Sequence, residues 1–143
     1  MSLYIDTSVL LKLIFQEPES ARTGEIAATA FSITVSSLAY LEAIVQIQRR
    51  EVGGLLVAAK ARERRQKLDA VIAAVPFHLR KCPAGLIEVA GKQTASSAAY
   101  CPTLDRLHLA AMEIFGLRRL LTNDDIQAAA ARALGYEVLM PRS

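Results

Sequence analysis

Leu3-Tyr4-Ile5-Asp6-Thr7-Ser8 decides how the rest of the chain is read. An apolar, β-leaning run stops at a carboxylate and a pair of hydroxyls, and Val9, Leu10, Leu13 and Ile14 then recur at helical spacing. A strand ending on an acidic residue just before a helix sets that side chain at the carboxyl edge of a sheet, where open α/β folds bind ligands. The same arrangement has an ordinary structural use, since Asp, Thr or Ser ahead of a helix caps its free N–H groups. Asp6 is therefore a cap or the first member of a site. The choice turns on whether other carboxylates can join it.

Outward from this stretch, the pattern predicts a helix over 7–16, stopped near Pro18, and a second over 19–29 with Ala21, Ile26 and Ala30 facing inward. Phe31-Ser32-Ile33-Thr34-Val35 alternates apolar and polar residues and reads as a second strand. Ser36 or Ser37 can cap the next helix, which carries Leu38, Leu41, Ile44 and Val45 as an apolar stripe, runs through Arg50 and breaks at Gly53-Gly54. A long helical pattern covers 55–75, and a short strand follows around 76–79. Pro83 suits the first turn of a helix reaching about Ala99. Thr103 can cap a helix over 104–115, closed by Gly116. A strand over 119–122, a helix over 125–134 closed by Gly135, and a last strand over 137–140 complete the chain. Strands separated repeatedly by helices call for βαβ crossovers, hence an α/β fold with a mostly parallel sheet. With 143 residues and no linker or internal repeat, the expectation is one domain over 1–143.

A hydrophobic fraction of 52% supplies a large core and argues against disorder. No basic stretch leads into an apolar core at the start, so no secretory leader is expected. The longest uncharged stretch, 26–41, is too short and too rich in Ser and Thr to span a membrane. Cys82 and Cys101 have no metal-ligand spacing and read as free, buried thiols of a reducing cytoplasm, with a disulfide between them left open. The net charge of +3 is weak evidence for a polyanionic partner. Its distribution says more, because Lys60, Arg62, Arg64, Arg65 and Lys67 crowd together with only Glu63 opposing them.

Further acidic residues stand in unusual company. Glu42 lies beside Leu38, Leu41 and Val45 on its helix, where a carboxylate costs energy unless it is paired, hydrogen-bonded or metal-bound. Asp105 occupies the first turn of Leu104-Asp105-Arg106-Leu107-His108-Leu109-Ala110-Ala111 and leans toward an apolar side. Asp124 follows Leu120-Leu121-Thr122-Asn123, again a strand ending on a carboxylate before a helix. Each has a plain alternative: Glu42 an ion pair, Asp105 the helix dipole, Asp124 or its neighbour Asp125 a cap. Together they are harder to dismiss. Clustered carboxylates repel unless a cation neutralises them, and a hard divalent ion such as Mg²⁺ or Mn²⁺ is the natural partner.

Tyr4-Ile5-Asp6-Thr7-Ser8, the Glu after Ser36-Ser37, the Leu104-Asp105-x-x-His108-Leu109-Ala110 block, and Thr122-Asn123-Asp124 with its helix ending Ala133-Leu134-Gly135-Tyr136 resemble, in order and spacing, the PIN domain. Their order and spacing are similar to the small stand-alone PIN proteins of the VapC toxin type. The resemblance covers essentially the whole chain. It implies a three-layer α/β/α fold with a central parallel sheet. It also implies an Mg²⁺- or Mn²⁺-dependent endoribonuclease whose acidic site is Asp6, Glu42, Asp105 and Asp124, with Asp6, Asp105 and Asp124 on the metal. RNA as substrate, a cognate antitoxin that blocks the site, and homodimerisation are further implications, with no membrane association.

Thr7, Ser8 and Thr122 bring hydroxyls beside these acids, as donors to metal ligands or as caps. His108, among Leu107, Leu109 and Ala110, reads as a packed, hydrogen-bonded residue ahead of a general base, and His78 has less to recommend it. Lys60, Arg64 and Lys67 fall on one helix side and would hold RNA phosphates if that side borders the acidic cleft; otherwise they are a solvated face. Few aromatics favour backbone or shape recognition over base stacking. The alternatives are an RNA-processing or DNA-acting nuclease with the same site, and a non-catalytic acidic-pocket binding domain. A phosphoacceptor receiver expects an acidic pair after the first strand and a late Lys; here Asp6 stands alone and Pro141-Arg142 follows the last strand.

Overall fold

The computed structural model describes residues 1–142. The elements run β1 (Ser2–Ile5), α1 (Thr7–Ile14), α2 (Ser20–Thr29), β2 (Ser32–Ser36), α3 (Ser37–Val52), α4 (Ala58–Ala73), β3 (Phe77–Arg80), α5 (Leu86–Ser96), α6 (Thr103–Phe115), β4 (Arg119–Leu121), α7 (Asp125–Ala133) and β5 (Glu137–Leu139). The strands form one sheet in the order β3-β2-β1-β4-β5, and every pairing is parallel.

The side-chain alternation of β1 explains the layers. Leu3 and Ile5 pack on one face with residues of α1, α2, α3 and α4, while Tyr4 packs on the other with residues of α6 and α7. Leu121 and Leu120 of β4 divide in the same way. Such central strands are buried on both faces, so they read as short continuous apolar runs. Each fully buried Leu or Ile there contributes about 2 kcal/mol.

The strand order also locates the site. The chain moves from β1 outward through β2 to β3, then returns to the other side of β1 for β4 and β5. The border between β1 and β4 is thus the point where the winding reverses, and a crevice forms there beyond the carboxyl ends of the strands. Asp6 directly follows β1, and Thr122 directly follows β4.

Several local expectations are corrected. The buried row of α3 is Ala39, Ala43 and Ile47, and Leu41 and Val45 are exposed instead. The small alanines let that face approach its neighbours closely. Ala21 is exposed, and Thr23 joins Ile26, Ala27 and Ala30 on the inner side of α2. Ser36 rather than Ser37 caps α3, accepting from the Ala39 N–H at 3.2 Å, and Ser37 turns its hydroxyl to Cys82. Thr103 is the first residue of α6, and Pro102 takes the cap position. Cys82 is exposed, not buried. No described helix is long and apolar enough to cross a membrane.

Candidate active site

Asp6 caps α1 and stands at the candidate site, directly after β1. Its Oδ1 accepts from the Val9 N–H at 3.1 Å, closing the first turn of α1, and from the Ser8 hydroxyl at 2.7 Å. Its Oδ2 accepts from the Thr122 hydroxyl at 2.5 Å. Burial pushes the carboxyl above its ordinary range, and the hydrogen bonds from Ser8 and Thr122 counter this only in part. Thr122 and Ser8 also fix the loop after β4, because their oxygens accept the N–H groups of Asp124 (3.0 Å) and Asn123 (3.1 Å). These hydroxyls cap, turn and hold a carboxylate at once.

Asp124 caps α7, its Oδ1 accepting from the Gln127 N–H at 2.8 Å. Asp125 points away and pairs with Arg142 at 2.7 Å. Arg142 also donates to the side chain and the carbonyl of Asn123, so it clasps this loop from outside. That distribution favours Asp124 over Asp125 as the acid of the crevice.

Glu42 stands one turn into α3. Its Oε1 receives the Thr7 hydroxyl at 2.8 Å and His108 Nε2 at 2.7 Å. Burial raises its pKa, but the His108 and Thr7 contacts outweigh it and hold the carboxyl below its ordinary range. Asp105 is the opposite case. Gln127 holds its backbone carbonyl rather than its carboxylate. Burial, then repulsion from Asp124 and Asp6 and more weakly Glu42, push the carboxyl up to about 6, against only the attraction of His108. Asp124, Asp6 and Glu42 therefore all lie within electrostatic reach of Asp105.

This donor set of carboxylate and hydroxyl oxygens suits a hard cation, and a charge of +2 would relieve the repulsion that Asp105 experiences. No three described His, Cys, Asp or Glu side chains converge closely enough to chelate one ion as they stand. An ion here would be held by one or two carboxylates directly and by the rest through water, the habit of Mg²⁺.

The basic run behaves differently from expectation. Arg64 donates to the Ile14 carbonyl at 2.7 Å, at the end of α1 opposite Asp6 and about 12 Å along the helix. It is an anchor between helices, so the expected row of phosphate contacts loses its middle member. Lys60 pairs with Glu63, and Lys67 is exposed. A concavity of about 560 Å³ lies at the amino edge of the sheet around Ser2, Arg118 and Arg119, away from the acids; Arg119 is paired with Glu137 there. Sequence reasoning missed Tyr4, Ser36 and the reach of His108 to Glu42. The only available signal was that Asp105 and His108 share a helix face at i, i+3.

The PIN domain family model matches residues 3–133. The chain belongs to the PIN domain family. Among curated proteins, this PIN domain is similar to Ribonuclease VapC46 of Mycobacterium tuberculosis, at 28% identity over 98% of each chain. Among solved structures it resembles VapBC2 of Rickettsia felis, bound to a DNA fragment from its promoter, with a TM-score of 0.72 at 14% identity over 98% of each chain. It also resembles the sarcin-ricin-loop-cleaving toxin VapC20 of Mycobacterium tuberculosis, with a TM-score of 0.67 at 17% identity over 89% of this chain and 94% of that one.

Proposed function

We propose that this PIN domain is a metal-dependent endoribonuclease that hydrolyses RNA phosphodiester bonds and acts as the toxin of a toxin–antitoxin pair. The observation that carries this reading is the placing of Asp105 beside Asp124 and Asp6 at the reversal point of the sheet, where burial and their charges push its carboxyl up and a bound cation would relieve the repulsion. In this reading Asp6, Asp105 and Asp124 hold Mg²⁺ or Mn²⁺, directly or through water. When bound, such an ion polarises a phosphoryl oxygen and makes water acidic enough to attack at neutral pH. The chain's own residues orient the reaction. Thr122 and Ser8 hold Asp6 rigidly, Asp124 is fixed by the first turn of α7, and Glu42 aligns the water for in-line attack on phosphorus. The resemblance to ribonucleases and to a toxin–antitoxin assembly supports RNA as substrate and an antitoxin protein as partner. Homodimerisation is part of the proposal; exposed Leu41 and Val45 of α3 are available for such contacts, whereas Leu10, Ile14 and Phe15 of α1 are buried within the chain.

The test is cleavage of total RNA by the purified protein with Mn²⁺ and with chelator, beside Asp6→Asn. Metal-dependent cleavage by the parent and its loss in the variant are expected. Cleavage that persists in chelator, or in Asp6→Asn at the parent rate, refutes the reading.

A further inference from the structure

Behind Glu42 lies a buried polar chain. His108 is 1% exposed, and Tyr4 and Ser36 are fully buried. Tyr4 Oη sits 2.6 Å from His108 Nδ1 and 3.0 Å from Ser36 Oγ, and Ser36 Oγ also accepts the Ala39 N–H. At the other side of the imidazole, Nε2 meets Glu42 Oε1 at 2.7 Å. The chain joins β1, β2, α3 and α6, and the two partners of His108, Glu42 and Tyr4, are 66 and 104 residues from it in sequence.

The proton count is informative. The phenol has one proton and two neighbours. If it donates to Nδ1, the imidazole carries its own proton on Nε2, facing Glu42. If it donates to Ser36, Nδ1–H must donate to the phenol oxygen, and a second proton is still required between Nε2 and the carboxylate. Either way the 2.7 Å contact contains a proton. Oε1 therefore takes two hydrogen bonds, from His108 and Thr7, while Oε2 has no protein partner among the described residues. Packing alone does not call for this. Tyr4 lies among Leu109, Met112 and Leu120, where apolar side chains would fill space without the desolvation of a phenol and an imidazole.

We propose that His108 is a positioning residue for the nuclease reaction: it pins Oε1 of Glu42 so that Oε2 faces the reacting water in one orientation, and Tyr4 with Ser36 sets the ring of His108. The inference rests on the nuclease reading of Glu42. A third group that orients a working side chain acts in this way around metal sites, at a cost of about 10–100-fold when removed.

The experiment is single-turnover cleavage of RNA at saturating Mn²⁺ by His108→Leu, His108→Gln and Tyr4→Phe, each alone and combined with Glu42→Gln. His108→Leu is expected to lower the cleavage rate constant about 10–100-fold with RNA affinity unchanged. His108→Gln, whose amide can still donate to Glu42, should recover part of that loss. In the Glu42→Gln background the same His108 changes should cost less than about twofold, because the carboxylate they position toward the water is gone. Tyr4→Phe removes one oxygen and carries the test if His108→Leu fails to fold; its loss should likewise vanish beside Glu42→Gln. Equal losses in both backgrounds, or folded His108 and Tyr4 variants that cut at the parent rate, overturn the proposal while leaving the nuclease reading intact. A parent protein that cuts no RNA overturns both.

Discussion

Replacing Asp105 with Asn should stabilise the metal-free protein, and by an amount that depends on pH. The carboxyl stands at about 6 in the folded chain against an ordinary 3.8. Its folded pKa is raised, so between these values the native state holds a proton that the unfolded chain has lost. Stability then falls as pH rises through that window, and the penalty is complete above about 6. Taken at face value the displacement is worth about 3 kcal/mol. Asp105 is only half-buried, so solvent screening reduces this to roughly 1–2 kcal/mol. Asn also forfeits about 0.5 kcal/mol of favourable charge at the start of α6. The net gain above pH 6 is about 1 kcal/mol, or about 3 °C in Tm for a chain of this size. It should shrink toward zero, or slightly below, near pH 4. Thermal melts in chelator across that pH range measure the difference directly. With Mn²⁺ the order should invert, because the parent binds the ion more tightly and binding adds to stability. An Asp105→Asn protein that melts at or below the parent at every pH in chelator would refute the claim that these carboxylates repel.

Other expectations concern residues whose roles the structure separates. Asp6→Asn keeps the acceptor for Val9 and Ser8, so metal-free melting should stay within a few degrees while RNA cleavage falls roughly a hundredfold or more. Arg64→Met removes the hydrogen bond to the Ile14 carbonyl and should cost about 1 kcal/mol in denaturant melts with no change in KM for RNA; a raised KM with normal melting would return Arg64 to the phosphate-contact set. Arg106 is buried, and among the described residues its Nε and Nη1 are unpartnered and its Nη2 alone is bonded, to the Ala99 carbonyl. Arg106→Met should therefore melt no lower than the parent, since an isolated buried charge contributes little that an apolar chain of similar length cannot; a loss of several degrees would show that the guanidinium has a partner of its own.

What was legible in the sequence was local. The apolar run of β1 ending at Asp6, the alternation of β2, and the glycines closing α6 and leaving α7 are signals carried by neighbouring residues, and they placed the acids on a common sheet edge. The face of α3 was not legible, because the larger residues Leu41 and Val45 lie outward and Ala39 and Ala43 inward. Periodicity weights bulk, whereas close helix packing selects small side chains. Glu42 was thus singled out for a mistaken reason: it borders an alanine row, and its real constraint is His108, far away in the chain. Arg64 misled similarly, since a charge on a helical row says nothing about the carbonyl it will reach.

The opposition between cap and site, on which the sequence reading hung, does not hold in the folded chain. Asp6, Ser36 and Asp124 cap α1, α3 and α7, and each also belongs to the polar network of the crevice. The reason is geometric. In a parallel sheet every helix that follows a strand begins at the carboxyl edge, so its capping side chain stands at the ligand-binding edge. The helix starts are also where backbone N–H groups and the helix dipole favour negative charge. Asp6 and Asp124 each draw a main-chain N–H in this way, which makes a cluster of repelling carboxylates tolerable before any cation arrives. Asp105 and Glu42 lack such a cap. Glu42 is stabilised by His108 and Thr7, and Asp105 by nothing of comparable strength. The acid left most exposed to repulsion is therefore the one whose neutralisation should report most directly on the cation.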